Sequence, residues 1–196
     1  MTTADALSWI NKYTSDATYY DHELLRLIEL VRELPHEARV CEIGVYKGRT
    51  AAVYFLESVR RRRYPLDDAL HIHLVDSWVL EGRSAFDALV ELATLRTSMP
   101  IRYSDHWMSS HEAALAVPGD LDLLHIDGDH ELGVWIDCAL YIPKVKLGGV
   151  VIAHDYAKLD EYPQVTLAVD HHIPVGSSAW ERLPVVGSQF AARRIV

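Results

Sequence analysis

Glu42, Asp76, Asp127, His154 and Asp155 each stand at or next to the end of a short apolar run. A carboxylate in such a place can accept two hydrogen bonds at once, and an imidazole can move a proton near neutrality. The first of these runs continues into Gly44-Val45-Tyr46-Lys47-Gly48-Arg49-Thr50. Glycines let a backbone turn sharply and approach a ligand just ahead of a helix N-terminus. The spacing excludes two familiar loops. A dinucleotide fingerprint needs a glycine where Tyr46 stands, and a phosphate loop needs one more residue between the glycines, followed by Lys and Ser or Thr.

The elements that must position these residues alternate along the chain. Leu24, Leu27, Ile28 and Val31 form one stripe of a helix over 20–34, with Asp21 as the expected N-cap. Strands are expected at 38–43, 71–75, 100–105, 121–126 and 150–153, the last launched by Gly148-Gly149. Between them, 48–62, 83–97, 110–116 and 131–142 read as helices, and Pro143 stops the last. A final helix near 163–171 precedes extended segments around 179–186 and 189–195. This alternation predicts an α/β fold: one Rossmann-like, doubly wound, mainly parallel sheet with a C-terminal antiparallel strand. Ligands of such sheets bind outside the carboxyl ends of the strands, where the five polar residues fall.

The 196 residues fit a single domain, 1–196, whose first 35 residues read as an N-terminal helical segment. A hydrophobic share of 49% and a charged share of 24% are globular proportions. The net charge of −9 and a single basic run, Arg60 to Arg63, argue against nucleic acid as a partner; that run reads as a solvated helix end. Apolar runs are too short to cross a bilayer, and the N-terminus lacks the pattern of a signal peptide, so a cytoplasmic location and no membrane partner are expected. Cys41 and Cys138 sit in apolar segments and read as buried thiols. His71, His73 and His125 are expected to pack, and His171-His172 to meet the last carbonyls of a helix.

Glu42-x-Gly44-x-x-x-Gly48 resembles the first motif of class I methyltransferases. With Val75-Asp76-Ser77-Trp78, Ile126-Asp127-Gly128-Asp129-His130 and Gly149-Val150-Val151-Ile152-Ala153-His154-Asp155-Tyr156, the chain resembles small-molecule O-methyltransferases of the macrolide and aminocoumarin sugar type over about residues 38–156. It is more distantly similar to the catechol O-methyltransferases. The resemblance implies S-adenosylmethionine as cofactor, curled in the glycine loop with its ribose hydroxyls on Asp76. Glu42, Gly44, Tyr46, Gly48, Thr50, Asp76, Ser77, Trp78, Ser110 and Asp127 are then the cofactor-binding candidates, with Trp78 beside the adenine and Ser109-Ser110 at its edge.

The resemblance further implies a divalent metal on Asp127, His154 and Asp155 that lowers the pKa of an acceptor hydroxyl. Sugar-type relatives carry a carboxylate where His154 stands, and an imidazole shifts the preference from magnesium toward manganese or iron. His130 and Asp129 are the candidate general bases; Asp129 is equally placed to cap the helix that follows. The implied reaction is O-methylation of a small-molecule hydroxyl on a sugar or phenol. Tyr13, Tyr19 and Tyr20 are candidates for a lid over the acceptor, and a homodimer is a family-level expectation. Two alternatives keep the fold: a non-haem iron hydroxylase built on Asp127, His154 and Asp155, and a non-catalytic module that only binds the cofactor.

Overall fold

The structure, a computed structural model, describes residues 1–14, 19–62, 69–77 and 80–196. Two helices lead, α1 (Thr3–Tyr13) and α2 (Asp21–Glu33). Then come β1 (Ala38–Ile43), α3 (Ala51–Arg61), β2 (Leu70–Asp76), α4 (Leu80–Thr97), β3 (Ser104–Trp107) and α5 (Ser110–Ala113). The chain closes with β4 (Leu121–Ile126), α6 (Leu132–Tyr141), a 3-10 turn at Ile142–Lys144, β5 (Val145–Ala153), α7 (Pro163–His172), β6 (Trp180–Arg182) and β7 (Phe190–Arg194). They form one seven-stranded sheet in the order β3-β2-β1-β4-β5-β7-β6. The first five strands run parallel; β7 joins β5 antiparallel, and β6 pairs antiparallel with β7 at the edge, running again in the direction of the first five. The expected α/β class holds, and β7 is the C-terminal antiparallel strand that was expected.

Both faces of the sheet are covered, so the central strands carry apolar residues pointing both ways. Val40, Ile72, Leu74 and Leu123 pack on one side with α1 to α4, and Cys41, Ile43, Leu124 and Ile126 on the other with α5 to α7. Cys41 and Cys138 are buried free thiols. The strand order reverses between β1 and β4, which opens a crevice at their carboxyl ends.

Several boundaries differ from expectation, each for a physical reason. β3 lies at 104–107 because its register aligns His73 with Ser104 and Asp76 with Trp107, and an exposed edge strand shows little apolar pattern. β5 begins at Val145, so Gly148-Gly149 lies inside it, at a register shift opposite Leu121 and Leu123. A Cβ on Gly149 would stand 2.6 Å from the Leu121 carbonyl oxygen, so glycine marks a bulge there and not a start. Asp21 is the first residue of α2, not its cap; the cap is Tyr20, whose amide donates to Glu23 at 3.1 Å. The basic run is not merely solvated: Arg61 donates to the carbonyls of Val31, Leu34 and Pro35 and ties α3 to the end of α2. Arg63 lies outside the described residues.

At 11 residues α1 would be marginal alone. Thr2 and Asp5 close a reciprocal cap at its start, and Ala6, Trp9 and Ile10 are buried against the body of the domain. No helix among the described residues is long and apolar enough to cross a membrane.

Candidate active site

A cavity of about 1080 Å3 opens over the carboxyl ends of β1, β2, β4 and β5. Its first wall is made of backbone. Gly44 has φ +83°, and a Cβ there would stand 2.0 Å from the carbonyl oxygen of Asp127. This close approach lets the Gly44 amide donate to Val75 and the Asp127 amide to Ile43, locking three strand ends together. The amides of Val45 and Tyr46 then donate to the same oxygen of Asp76, at 2.8 and 2.7 Å. Tyr46 takes φ 48°, a left-handed conformation that few non-glycine residues adopt, and half-exposes its ring over the cavity.

Glu42 and Gly48 support this wall from behind and do not line the cavity. Gly48 also has a positive φ, and a Cβ there would stand 2.8 Å from the side chains of Phe86 and Leu89, so it is required for packing against α4. Glu42 is fully buried, accepts from the Thr50 hydroxyl and leaves Oε2 without a hydrogen-bond partner among the described residues. Burial pushes its pKa well above the usual range, with Asp127 and Asp76 adding to the effect against the Thr50 bond.

The opposite wall is made of charge. His154 is buried between carboxylates on both ring edges: Nδ1 lies 3.2 Å from Asp127 and 3.4 Å from Asp155, and Nε2 lies 3.4 Å from Glu23. Burial opposes the charged ring, yet these hydrogen bonds prevail and raise its pKa to about 11. Glu23, from α2, is likewise opposed by burial but drawn down to about 2 by His154 and by the Ser188 and Tyr20 amides. Asp155 is held far below the usual carboxylate range, burial notwithstanding, by bonds from His130, His154 and Lys158. His130 donates to Asp155 at 2.8 Å and stacks on Tyr162, and that bond raises its pKa. Asp129 accepts from the Glu131 amide just ahead of α6 but does not cap it: the cap is Glu131, and no side chain bonds the first helical amides.

Tyr19 joins the two walls. Its ring stacks on His154 with centroids 3.9 Å apart, and its hydroxyl meets His125 Nε2 at 2.8 Å. Tyr54 meets the other nitrogen of His125 at 2.9 Å, and burial lowers the pKa of that ring to about 4. His125 is thus a neutral core histidine, as its place within a strand suggested. Arg49, inside the glycine loop, donates to Asn11 and Thr14 of the N-terminal region and to the Tyr19 carbonyl.

The cavity brings together Gly44, Tyr46, Thr50, Asp76, Ser77, Ser110, Asp127, Asp129, His130, His154 and Asp155 of the residues named from sequence. Trp78 lies outside the described residues. Among the described residues, the group with donors and spacing that could hold a metal ion is Asp127, His130 and Asp155, whose ligand atoms lie within 4.8 Å of one another. His154 stands behind that group, with both ring edges facing carboxylates. Tyr19, named from sequence as a lid candidate, lines the cavity; Glu23, Arg49 and Lys158 escape sequence reasoning, because nothing local ties their side chains to partners far away in the chain.

A parallel sheet with its reversal at β1 and β4, a glycine-bearing loop and an acidic residue ending β2 define a class I methyltransferase architecture. A family model described as "Methyltransferase domain" matches residues 41–156, more than half of the chain, and the protein belongs to that family. Among solved structures, the O-methyltransferase NovP is similar at 15% identity over 100% of both chains, with a TM-score of 0.72. A Podospora anserina methyltransferase, PaMTH1, bound to S-adenosylhomocysteine, aligns at 14% identity over 98% of this chain and 87% of that one, with a TM-score of 0.67. The calicheamicin methyltransferase CalS11 aligns at 13% identity over 97% and 91%, with a TM-score of 0.64. At such identities these likenesses establish the fold. No curated protein sequence matches significantly.

Proposed function

We propose that the protein transfers the methyl group of S-adenosylmethionine to a hydroxyl of a small-molecule acceptor, a sugar or a phenol. The observation that carries this reading is a cavity whose one wall is the Gly44–Tyr46 loop with Asp76 and whose other is Asp127, His130 and Asp155. The family membership supports methyl transfer, and the NovP and CalS11 likenesses favour oxygen in a small molecule as acceptor.

In this reading Asp76, steadied by the Val45 and Tyr46 amides, accepts from the ribose hydroxyls. His130 removes the acceptor proton, and Asp155 fixes the orientation of its ring through the bond to Nε2. Asp129 is engaged by the backbone of Glu131, which leaves His130 the better placed base. Asp127, His130 and Asp155 fit a divalent cation in donor type and spacing. Such an ion, when bound, would lower the pKa of the acceptor hydroxyl and take His130 as a ligand, so that His130 acts as the base only in the ion-free site. The imidazole of the set favours manganese or iron over magnesium. An iron-oxygenase reading draws less support, since this set holds one imidazole where that facial triad uses two.

The test is calorimetric titration with S-adenosylhomocysteine, with and without manganese or magnesium. Saturable binding is expected; no heat and no thermal shift under either condition would remove the reading. In an active preparation, Asp127→Ala should lower turnover by about 1000-fold and leave cofactor affinity within about threefold, the pattern of a group needed in the transition state. Full activity in that variant rejects the assigned role of Asp127.

A further inference from the structure

A second group of metal-ligating side chains lies away from the cavity, at the β2–β3 edge of the sheet. Along β2, Leu70, Ile72 and Leu74 are buried toward α1 to α4, whereas His71 and His73 alternate onto the other face. Val75 continues that second face into the core. The register sets Val75 beside His106 of β3 and His73 beside Ser104, so His73 and His106 are diagonal neighbours on one face. A fully covered sheet face carries apolar residues. This one has only α5, four residues long, over its edge, and imidazoles stand where a longer helix would call for leucine or valine. None of the three histidines lines the cavity.

His73 Nδ1 and His106 Nε2 stand 3.4 Å apart, and both rings are half-buried. Two imidazole nitrogens on one tetrahedral zinc ion, each about 2.0–2.1 Å from it, are separated by about 3.3–3.4 Å. The pair thus has the spacing of one edge of a zinc site. Without an ion one ring donates to the other across that gap, and an ion in place of the shared proton needs the rings to tilt, not to separate. Burial lowers the pKa of both rings, that of His73 to about 4, with His106, His71 and Arg39 adding to the effect there and Asp105 opposing it at His106. Both rings therefore hold the neutral, ligating form at pH 7.5.

We infer that His73 and His106 bind a zinc ion on the face of the sheet, with water completing its coordination, and that the ion clasps the edge strand β3 to β2. β3 is four residues long, exposed, and paired on one side only, so a ligand from each strand gives it a second attachment. The inference is independent of the cofactor reading and of the group at Asp127, His130 and Asp155.

The experiment is calorimetric titration of metal-stripped protein with zinc chloride at pH 7.5. Asp127→Ala, which breaks the group in the cavity, serves as the background for His73→Gln and His106→Gln. Asp127→Ala should bind zinc and gain thermal stability from it. Either glutamine should weaken that binding by at least about tenfold, since loss of an outer partner of a metal ligand already costs as much. Glutamine keeps a hydrogen bond across the strands within reach, so a pair that serves only to hydrogen-bond would leave zinc affinity unmoved in the folded variants; that result overturns the inference. Where a glutamine variant fails to fold, wild-type crystals soaked in zinc decide by anomalous diffraction at the zinc edge. A peak about 2.0–2.1 Å from both nitrogens is expected, and zinc bound elsewhere with no peak at this pair overturns the inference.

Discussion

The two walls of the cavity are built by different means. The β1–β2 wall is backbone: two left-handed residues, a close approach of strands, and amides directed at one carboxylate oxygen. The β4–β5 wall is charge: His154 held among Asp127, Asp155 and Glu23, with Lys158 on Asp155. A backbone wall depends on the absence of side-chain atoms and should be insensitive to pH. A charged wall depends on partners and protonation, and it recruits them from distant parts of the chain.

Gly44→Ala should have the largest effect. The added Cβ would meet backbone 2.0 Å away at a positive φ, and no side chain can move to relieve it. A loss of about 4 kcal/mol or more in denaturant unfolding is expected, along with cofactor binding. Gly48→Ala sharpens the contrast, because its contacts are movable side chains and its cost should be smaller, about 1–2 kcal/mol. Equal costs at the two positions would refute a backbone-built wall.

Glu23→Ala comes next. It leaves a buried imidazolium short of one carboxylate, for which about 3 kcal/mol is expected. Its pH dependence has a definite sign. Glu23 has a folded pKa of about 2, below its ordinary value, so its contribution is complete above about pH 4.5 and lost as pH falls toward 2. His154 has a folded pKa of about 11, above its ordinary value, so its contribution is complete below about pH 6.5 and lost as pH rises toward 11. Melting temperature against pH should therefore show a plateau between those ordinary values that flattens on both flanks in Glu23→Ala. Parallel curves for the two proteins would show that the wall is not held by this pair.

Asp76→Asn removes the charge from two backbone hydrogen bonds and from the expected ribose contact. Cofactor affinity should fall about 10- to 100-fold, the worth of one charge-assisted interaction. A change under twofold in calorimetry would place the ribose elsewhere. Lys158→Met should have the smallest effect. Its half-exposed ammonium competes for Asp155, so manganese should bind up to about fivefold tighter without it. Weaker manganese binding would mean that Lys158 supports the ion and does not compete with it.

The legibility of the site follows the same division. The backbone wall was largely readable, because its parts are local: Gly44, Tyr46 and Thr50 follow one strand, and Asp76 ends the next. Gly48 was assigned to the cofactor loop by spacing, yet spacing cannot tell a glycine that faces a ligand from one that faces α4. On the charged wall, Asp127, His130, His154 and Asp155 were visible as residues, but their division of labour was not. His154 and His130 are both polar neighbours of a strand end in sequence. Glu23 and Ser188, 131 and 34 residues from His154, surround one of them and leave the other at the cavity surface.

By itself the sequence determined the alternation of strands and helices, the carboxyl-end placement of the polar residues and the resemblance to a methyltransferase family. Apolar periodicity and glycine spacing are local properties, and the right-handed crossover of parallel strands leaves few ways to assemble them. Only the tertiary structure decided which histidine is surrounded by carboxylates and which glycine meets backbone. Those outcomes depend on burial and on partners far away in the chain, which set both the protonation of a group and the direction it faces.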